Sequence, residues 1–364
     1  MIHVMRTLAA VVLLCLAAPV LTAQRDSSAQ LSRAGWDALN AGRLAEAAAA
    51  FDAGLKLSPQ QPSVLLGAGI AAHLRGREDE ARRLLVDALK LQPSLTEASL
   101  VLGAVLYKSE DIDGAIDTYQ QALIHAPDNP RLLQQLEAWR KEAMLHSSFG
   151  HKLGSHFTVL FEGPAEAQLA ERAVAILEAA YLRIGAALYT YPTDVITVVL
   201  YTREQFHDIT QSPEWAGGAY DGRIRVPVQG ALADPAELQR VLTHEFTHAL
   251  VHSIAGSGVP FWLDEGLAVR FEGSDPERRR AEVRSAVTLL PLRRLEGSFA
   301  TLSPKEAALA YAQSAVAVEA MFEQAGAPAV VSLLAAVGSG MPFPEAFERN
   351  MLSSYAEFHR RLGS

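Results

Sequence analysis

The sequence contains a single cysteine, Cys15, among its 364 residues. This residue lies within the first 23 positions, so a chain that loses this segment has no thiol. Such a chain forms no disulfide and offers no thiolate to a metal ion. Any metal site must therefore be built from histidines and carboxylates.

Dense runs of basic residues are also missing. The chain has 32 lysines and arginines against 41 aspartates and glutamates, which gives a formal net charge of −9. A field of that sign repels phosphate backbones, so we expect no nucleic-acid partner. The apolar fraction of 49% and the charged fraction of 20% are typical of a globular protein, and the length allows two or three domains.

The N-terminal apolar run is shorter than the ~20 residues that a membrane span needs. Arg6 is followed by an apolar stretch over residues 8–21, which Pro19 interrupts. This order predicts a secretory signal peptide over residues 1–23, with cleavage near Ala23. We therefore expect an exported protein of the bacterial periplasm or cell envelope, with no transmembrane segment in the mature chain.

A period of 34 residues runs through the first third of the chain. Small residues, large apolar residues and prolines recur at that interval: Gly35, Gly69 and Gly103; Ala47, Ala81 and Ala115; Phe51, Leu85 and Tyr119; Pro59, Pro93 and Pro127. Small residues let two helices approach closely, and a proline ends the second helix before the next unit begins. The pattern predicts helix hairpins stacked into a solenoid.

In its period and residue placement this unit resembles the tetratricopeptide repeat. Three units cover about residues 28–129, and residues 131–145 are predicted to form a capping helix, which gives a repeat domain over residues 28–148. The resemblance implies a concave groove that binds a peptide or a protein partner. An array that only supports the following domain is the alternative, and both interpretations remain open.

A second domain is predicted over residues 149–364. Strands are predicted first, at residues 156–161 and 195–201, with a helix over residues 164–188 between them. A short strand pair follows over residues 217–228. After residue 234 the chain is predicted to be almost wholly helical. Strands first and helices later indicate an α+β domain.

Two histidines four residues apart lie on the first of these late helices, in His244-Glu245-Phe-Thr-His248. One helical turn brings both imidazoles to one metal ion, while Glu245 projects beside them and can take a proton from an attacking water. The opposite face is apolar and predicts a buried anchor, formed by Leu238, Leu242, Phe246, Ala249 and Leu250. A helix with two surface histidines is the alternative.

A third ligand is expected from Glu265, within the segment FWLDEGLA at residues 261–268. The preceding turn contains glycine, serine and proline, so the chain can reverse and bring a second helix against the first. Three protein ligands leave one position open, as in catalytic zinc sites. An acid that stabilises a helix start is the alternative for Glu265. His252, one turn beyond His248, is either an outer contact of the site or a partly buried structural histidine.

The HEFTH and WLDEGLA segments together resemble the gluzincin metallopeptidases, particularly the peptidase MA-like bacterial family and, more distantly, the membrane alanyl aminopeptidases. The resemblance implies one Zn²⁺ ion held by His244, His248 and Glu265, with Glu245 as the general base. A metzincin would need glycine and histidine at positions 251 and 254, which hold valine and isoleucine. No Gly-x-Met-Glu-Asn segment is present either, so aminopeptidase specificity is not implied.

Two further elements are candidates for transition-state and substrate contacts. Tyr311 lies in a segment that resembles the Tyr/Gln/Ser-bearing helix of the peptidase MA-like family, which implies an oxyanion donor; a core aromatic residue is the alternative. Gly217, Gly218, Ala219 and Tyr220 could form an edge strand that pairs with an extended substrate, or an ordinary hairpin.

The sequence as a whole predicts an all-α tetratricopeptide-type solenoid followed by an α+β gluzincin-like domain. The expected activity is zinc-dependent hydrolysis of a peptide or protein substrate. Two rival functions remain: a cell-envelope binding protein with a catalytically weak zinc domain, and a hydrolase of a non-peptide amide in the cell wall.

Overall fold

The computed structural model describes residues 27–211, 218–228, 234–256 and 258–362. The chain divides into two compact units. The first reaches Tyr107 and includes Gly114–Leu133, and the second consists of Lys108–Asp113 and Gln134–Ser364. The predicted signal peptide and Gly217 lie outside the described residues.

The described part of the first unit consists of helices that follow one another in pairs. Residues 27–40 form α1, and the next five helices are α2 (Leu44–Leu57), α3 (Pro62–Leu74), α4 (Glu78–Leu91), α5 (Thr96–Lys108) and α6 (Ile112–His125). The recurring alanines and large apolar residues of the repeat are buried: Ala47, Ala81, Ala115, Phe51, Leu85 and Tyr119. The predicted repeat solenoid is confirmed.

The glycines of the repeat mark close approaches between helices. A Cβ atom at Gly35 would lie 2.7 Å from the ring of Phe51, and one at Gly69 would lie 2.8 Å from Leu85. These positions therefore exclude any larger residue unless the neighbouring side chain moves. The 34-residue spacing of small and large residues reflects this packing.

Helix α7 (Pro130–His146) follows the repeats. The side chain of Asn129 accepts hydrogen bonds from the backbone N–H groups of Arg131 and Leu132, which caps the helix. The predicted helix over residues 131–145 is thus present. From Gln134 onward it belongs to the second unit, where it carries a buried glutamate, Glu142.

The described part of the second unit contains a five-stranded sheet in the order β1-β2-β3-β5-β4. Its strands are β1 (Gly150–Leu153), β2 (Phe157–Phe161), β3 (Ile196–Tyr201), β4 (Ala219–Tyr220) and β5 (Ile224–Pro227). The three central strands are parallel, while β1 and β4 pair antiparallel at the edges. The predicted strands are confirmed, and β1 is an additional strand that the sequence did not predict.

Two helices connect the strands. Helix α8 (Ala167–Leu188) follows a short 3-10 turn at Pro164–Glu166, where the sequence predicted a helix from residue 164. Helix α9 (Arg203–Thr210) was not predicted, and it begins with a capping box between Thr202 and Gln205.

Six α-helices and two short 3-10 helices make up the C-terminal part of the described chain. The α-helices are α10 (Pro235–Ala255), α11 (Phe261–Phe271), α12 (Pro276–Ser285), α13 (Pro304–Gly338), α14 (Phe343–Asn350) and α15 (Tyr355–Leu362). Asp234 caps α10 by accepting a hydrogen bond from the backbone of Ala236. The mixed sheet followed by helices confirms the predicted α+β class.

Helix α13 is, within the described residues, the one helix long and apolar enough to cross a membrane by length and composition. Its residues Ala310, Val318 and Met321 are fully buried in the core of the second unit. Gly326, with φ of +75°, breaks its helical geometry. A core helix of a globular domain has these properties, and the expected absence of a transmembrane segment stays a prediction.

The main core lies between one face of the sheet and helices α8, α10, α11 and α13. The predicted apolar face of α10 is buried, with Leu238, Leu242, Phe246, Ala249 and Leu250 at most 3% exposed. The opposite face of the sheet carries a smaller cluster of Leu160, Val199 and Tyr201 with Phe149 and Phe206. The sheet therefore holds α10 rigidly from its apolar side.

Candidate metal centre

Helix α10 presents its two histidines toward α11. His244 and His248 stand one turn apart with ring centroids 4.9 Å from each other. Because the apolar face of α10 is locked in the core, both rings are held on the face toward α11. The alternative of two surface histidines is wrong, since His248 is only 8% exposed.

Helix α11 brings Glu265 to these histidines. Its Oε2 atom lies 3.3 Å from Nε2 of His244 and 3.7 Å from Nε2 of His248. The ligand atoms of the three residues all lie within 4.8 Å of one another. Tetrahedral zinc ligands, at about 2.1 Å from the ion, stand roughly 3.4 Å apart. The predicted triad is therefore assembled at a spacing that suits one ion.

The two helices run antiparallel, as the loop between them predicted. Asp264, near the start of α11, lies beside His248, whereas Glu272, at its end, lies beside His244 and Arg240. Gly266 allows the close packing of α11 on α13, because a Cβ atom there would lie 2.4 Å from the carbonyl oxygen of Ser314.

Among the buried side-chain atoms of the described residues that have no hydrogen-bond partner, Oε2 of Glu265 lies between the two histidine rings. A buried carboxylate oxygen without a partner is costly. A divalent cation at the centre of the triad would satisfy this oxygen together with both Nε2 atoms. The residues present thus fit the zinc ion that the sequence implies.

A carboxylate lies next to the Nδ1 atom of each histidine, on the side of the ring away from Glu265. Nδ1 of His244 lies 2.8 Å from Oε2 of Glu272, and Nδ1 of His248 lies 3.0 Å from Oδ1 of Asp264. The hydrogen bond at His244 fixes the proton on Nδ1 and leaves the lone pair of Nε2 for a metal ion, and the charge of Asp264 near Nδ1 of His248 favours the same arrangement there. Sequence reasoning missed both acids, although Asp264 directly precedes Glu265 and Glu272 follows it after two helical turns.

Glu272 lies in a polar environment despite its burial. Its Oε2 atom also accepts a hydrogen bond from Arg240 at 2.9 Å, and its Oε1 atom accepts one from the hydroxyl of Ser274. Burial favours the neutral acid, but the hydrogen bond and charge of His244, with Ser274 and Arg240, lower the pKa of Glu272. The group is thereby kept as the carboxylate that orients His244.

Glu245 is 5% exposed and lies beside the triad, among the residues that line the same cavity. Burial raises the pKa of this carboxyl, while the charges of His244 and His248 oppose the rise. A carboxylate with a raised pKa is better matched to accepting and returning a proton near neutral pH. The backbone of Gly218 lies against it, since a Cβ atom there would be 2.5 Å from Oε1 of Glu245.

A cavity of about 590 Å³ opens on the centre. Gly218, Ala219 and Tyr220 line it from the sheet, and Tyr311 lines it from α13. Three of the four candidate substrate residues are thus brought to the site, and their contact with substrate stays a prediction. Gly217 lies outside the described residues.

Tyr311 packs in the core and also lines the cavity. Its ring packs edge-on against Phe299 at 5.3 Å. Burial raises the pKa of its hydroxyl, and the charges of Glu265 and Glu245 raise it further. The hydroxyl is therefore protonated at neutral pH and available as a donor, while its contact with an oxyanion stays a prediction.

His252 lies at the edge of the metal centre. Its Nε2 atom is 3.9 Å from Oδ2 of Asp264, and its ring lies 5.3 Å from that of Tyr220. Asp264 in turn lies against His248. His252 thus meets the site through this carboxylate and not as a ligand of the triad.

Family models match segments in both parts of the chain. Residues 177–354 match the family model of the Peptidase MA superfamily. Residues 32–95 and 72–139 match two models of the tetratricopeptide repeat. The first match contains every candidate metal ligand, and the other two lie within the predicted repeat domain.

One curated protein and two solved structures show partial similarity to this chain. A stretch of 68 residues is 41% identical to Cellulose synthase operon protein C of Komagataeibacter xylinus, which amounts to 19% of this chain and 5% of that protein. Two solved structures are each 19% identical to this chain over 33% of its length. One is the first tetratricopeptide domain of Spaghetti (RPAP3) bound to an HSP90 peptide, of which the match covers 97%. The other is the first tetratricopeptide domain of human RPAP3, of which the match covers 94%. Their TM-scores are 0.32 and 0.31. Scores of this size establish no shared overall fold.

Proposed function

We propose that this chain, which joins tetratricopeptide repeats to a domain of the Peptidase MA superfamily, is an exported zinc-dependent metallopeptidase that hydrolyses peptide bonds. One observation carries the proposal. His244, His248 and Glu265 converge from two helices on one point, with the buried acid Glu245 beside them and a cavity in front of them. This arrangement serves hydrolysis better than a purely structural site, which would use a fourth protein ligand.

The three converging residues would hold the zinc ion. When bound in such a site, zinc supplies a Lewis acid that lowers the pKa of a water molecule and polarises a carbonyl group. Glu272 and Asp264 contribute by holding the Nδ1 atoms of His244 and His248, so that both Nε2 atoms face the ion.

Glu245 acts as the general base. It takes a proton from the water that attacks the substrate carbonyl carbon, and it then gives that proton to the nitrogen of the leaving amine as the C–N bond breaks. The Tyr311 hydroxyl donates a hydrogen bond to the oxygen on which negative charge develops. Both groups lie on helices packed in the core, which restricts their movement during these steps.

Substrate access and localisation complete the proposal. An extended peptide would lie along the backbone of Gly218–Tyr220 in the cavity, adding as a strand beside β4. The repeat array recruits the substrate or a partner protein, and the N-terminal apolar segment directs the chain to the periplasm or cell envelope.

The test is the substitution Glu245→Gln in the mature protein. It preserves the size of the side chain but removes the base, so peptidase turnover should fall by about 10²- to 10⁴-fold while zinc binding is retained. Turnover is measured on a peptide library by mass spectrometry, and zinc by elemental analysis. Glu323→Gln, an exposed acid on α13, is the matched control and should leave turnover unchanged.

Three outcomes separate the proposal from its rivals. Equal turnover in Glu245→Gln and the parent protein contradicts the role of Glu245. A zinc-replete parent protein that cleaves nothing in the library favours the binding protein, for which the repeats are the supporting feature. Cleavage of peptidoglycan amides but not of peptides favours the cell-wall hydrolase.

A further inference from the structure

A cluster of buried charges lies on the face of the sheet opposite to α10. Arg225 of β5 is fully buried and pairs in register with Val199, which points to the smaller apolar cluster. Arg223 is 6% exposed and Glu142 of α7 is 2% exposed. Buried charges are costly, and apolar residues of similar volume in their place are often neutral or stabilising. A contribution to stability therefore does not by itself account for these buried charges, and a role in positioning neighbouring residues is considered.

Glu142 is the acid at the centre of this cluster. Its Oε1 atom lies 2.8 Å from Nη1 of Arg225 and 3.2 Å from Nη1 of Arg223. Arg225 in turn donates from Nε to both carboxylate oxygens of Asp221, at 3.0 and 2.9 Å. The two arginines and the two acids balance in charge, and they form a continuous path from α7 to Asp221.

Asp221 begins the turn that joins β4 to β5. Strand β4 has only two residues, which pair as Ala219 with Arg225 and Tyr220 with Ile224. A strand pair this short is marginal on its own. The two hydrogen bonds from Arg225 to Asp221 fix the turn, and so they fix the position of β4.

The far end of β4 reaches the catalytic glutamate. Gly218 directly precedes the strand, and a Cβ atom at this position would lie 2.5 Å from Oε1 of Glu245. The backbone at Gly218 therefore forms one wall of the space that the Glu245 carboxylate occupies. A small shift of β4 would change where this carboxylate rests.

We infer that Glu142 is a positioning residue for Glu245: through Arg225 and Asp221 it holds the β4 strand whose backbone confines the Glu245 carboxylate. Helix α7, which directly follows the repeats, then also supports the catalytic site of the second unit. The kinetic consequence rests on the proposed peptidase function. The structural consequence, the fixed position of β4, does not depend on it.

The test uses Glu142→Gln and Asp221→Asn in the full mature chain loaded with zinc. Each substitution weakens one end of the path, and Asp221 is 44% exposed, so its replacement is compatible with folding. We expect faster hydrogen–deuterium exchange at the amides of residues 218–222 in both variants. We also expect kcat to fall about 10- to 100-fold, because small misplacements of a catalytic group are costly, with little change in KM or zinc content.

Two further measurements make the test specific. Lys141→Gln is the matched control, since this exposed residue neighbours Glu142 on α7 and pairs with Glu137 at the surface. It should change neither exchange nor kcat. The double variant of Glu142 and Asp221 should be no slower than the slower single variant, because both residues act along one path.

The outcomes distinguish this inference from the proposed function. Unchanged exchange at residues 218–222 in both single variants overturns the positioning role, whatever the activity. Faster exchange with an unchanged kcat overturns the link to Glu245. A parent protein without peptidase activity contradicts the proposed function alone, and the exchange measurement then decides whether Glu142 holds β4.

Discussion

At the scale of single residues, we expect Glu272 and Asp264 to orient the two candidate histidine ligands that they contact. Replacing Glu272 or Asp264 by the corresponding amide keeps the shape but weakens the charged contact with Nδ1 of His244 or His248. We expect each substitution to lower zinc affinity by about 10- to 100-fold. Competition with a chromophoric chelator measures the change.

A control and a contrary result complete this prediction. The control is Glu282→Gln, which replaces an acid on α12 that pairs with Arg278 and Arg279. The zinc affinity of this variant should match that of the parent protein. Unchanged zinc affinity in both amide variants would show that the carboxylates do not orient the ligands.

His146, at the end of α7, is a second residue whose environment has a measurable effect. Its Nε2 atom accepts a hydrogen bond from the Tyr201 hydroxyl at 2.6 Å, and that hydroxyl accepts one from Arg225 at 2.7 Å. Burial lowers the pKa of His146 to about 4, and the charges of Arg225 and Arg223 lower it while that of Glu142 opposes them. The folded protein therefore holds this imidazole neutral at pH values where a free histidine is charged.

This shift predicts a loss of stability in acid. Between about pH 6.5 and pH 4 the unfolded chain binds a proton at His146 that the folded chain does not, so the free energy of unfolding falls as the pH falls. The contribution of this residue is at most about 3 kcal/mol. Urea unfolding at pH 7 and pH 4.5 should show a smaller pH effect in His146→Gln than in the parent. An equal effect in both proteins would contradict the assignment.

The sequence predicted the two histidines of the candidate metal site because their spacing along one helix is a local property. His244, Glu245 and His248 follow from helical geometry alone, and Glu265 from a turn and a resemblance. Asp264, Glu272 and Glu142 could not be predicted as supporting groups, because an acid on a helix is usually solvated. Only the packing of one helix on another, or of α7 on β5, gives these acids their partners.

At the scale of elements, the packing of α11 on α13 controls the position of Glu265. A Cβ atom at Gly266 would lie 2.4 Å from the carbonyl oxygen of Ser314, a backbone atom that cannot rotate away. Gly266→Ala should therefore push the helices apart, lowering the free energy of unfolding by about 1 to 3 kcal/mol and weakening zinc binding. Chemical denaturation and zinc titration measure both effects.

Gly297→Ala provides the matched control for this substitution. No atom lies within 4 Å of a Cβ placed at Gly297, so the extra methyl group meets open space. A loss of stability as large at Gly297 as at Gly266 would show that close packing is not the cause.

Helices and strands with a clear hydrophobic pattern were predicted from the sequence. Short elements that form only by pairing with a neighbour, or that carry only a capping signal, were not. The apolar run of β3 and the periodic face of α10 are visible in the sequence. Strand β1, with the residues Gly-His-Lys-Leu, has no such pattern and exists through its pairing with β2. Helix α9 has only eight residues, and its signal is the capping box from Thr202 to Gln205.

At the scale of the whole molecule, the predicted end of the repeat domain and the start of the second compact unit fall at different residues. The sequence predicts a boundary after residue 148, whereas the second unit includes the chain from Gln134 onward. The 34-residue period extends naturally into a capping helix, so nothing in it indicates that Glu142 pairs with Arg225. That long-range ion pair is visible only in the structure.

This difference predicts the behaviour of two truncated proteins. A fragment that begins at residue 149 leaves the buried Arg225 and Arg223 without Glu142, which should cost about 3 to 5 kcal/mol. A fragment that begins at Pro130 retains this acid and should unfold at a higher temperature. Thermal unfolding of both purified fragments measures the difference, and equal midpoints would show that α7 does not stabilise the second unit.

The helix pair α10 and α11 also bears on the order of events during folding. All three candidate metal ligands lie within residues 244–265, so they are close along the chain, and closing so short a loop costs little entropy. Contacts between neighbouring segments form faster than the pairing of distant strands. Zinc is therefore expected to bind this hairpin of helices early in refolding, before the parallel strands have come together, and refolding with zinc present should proceed from the hairpin outward.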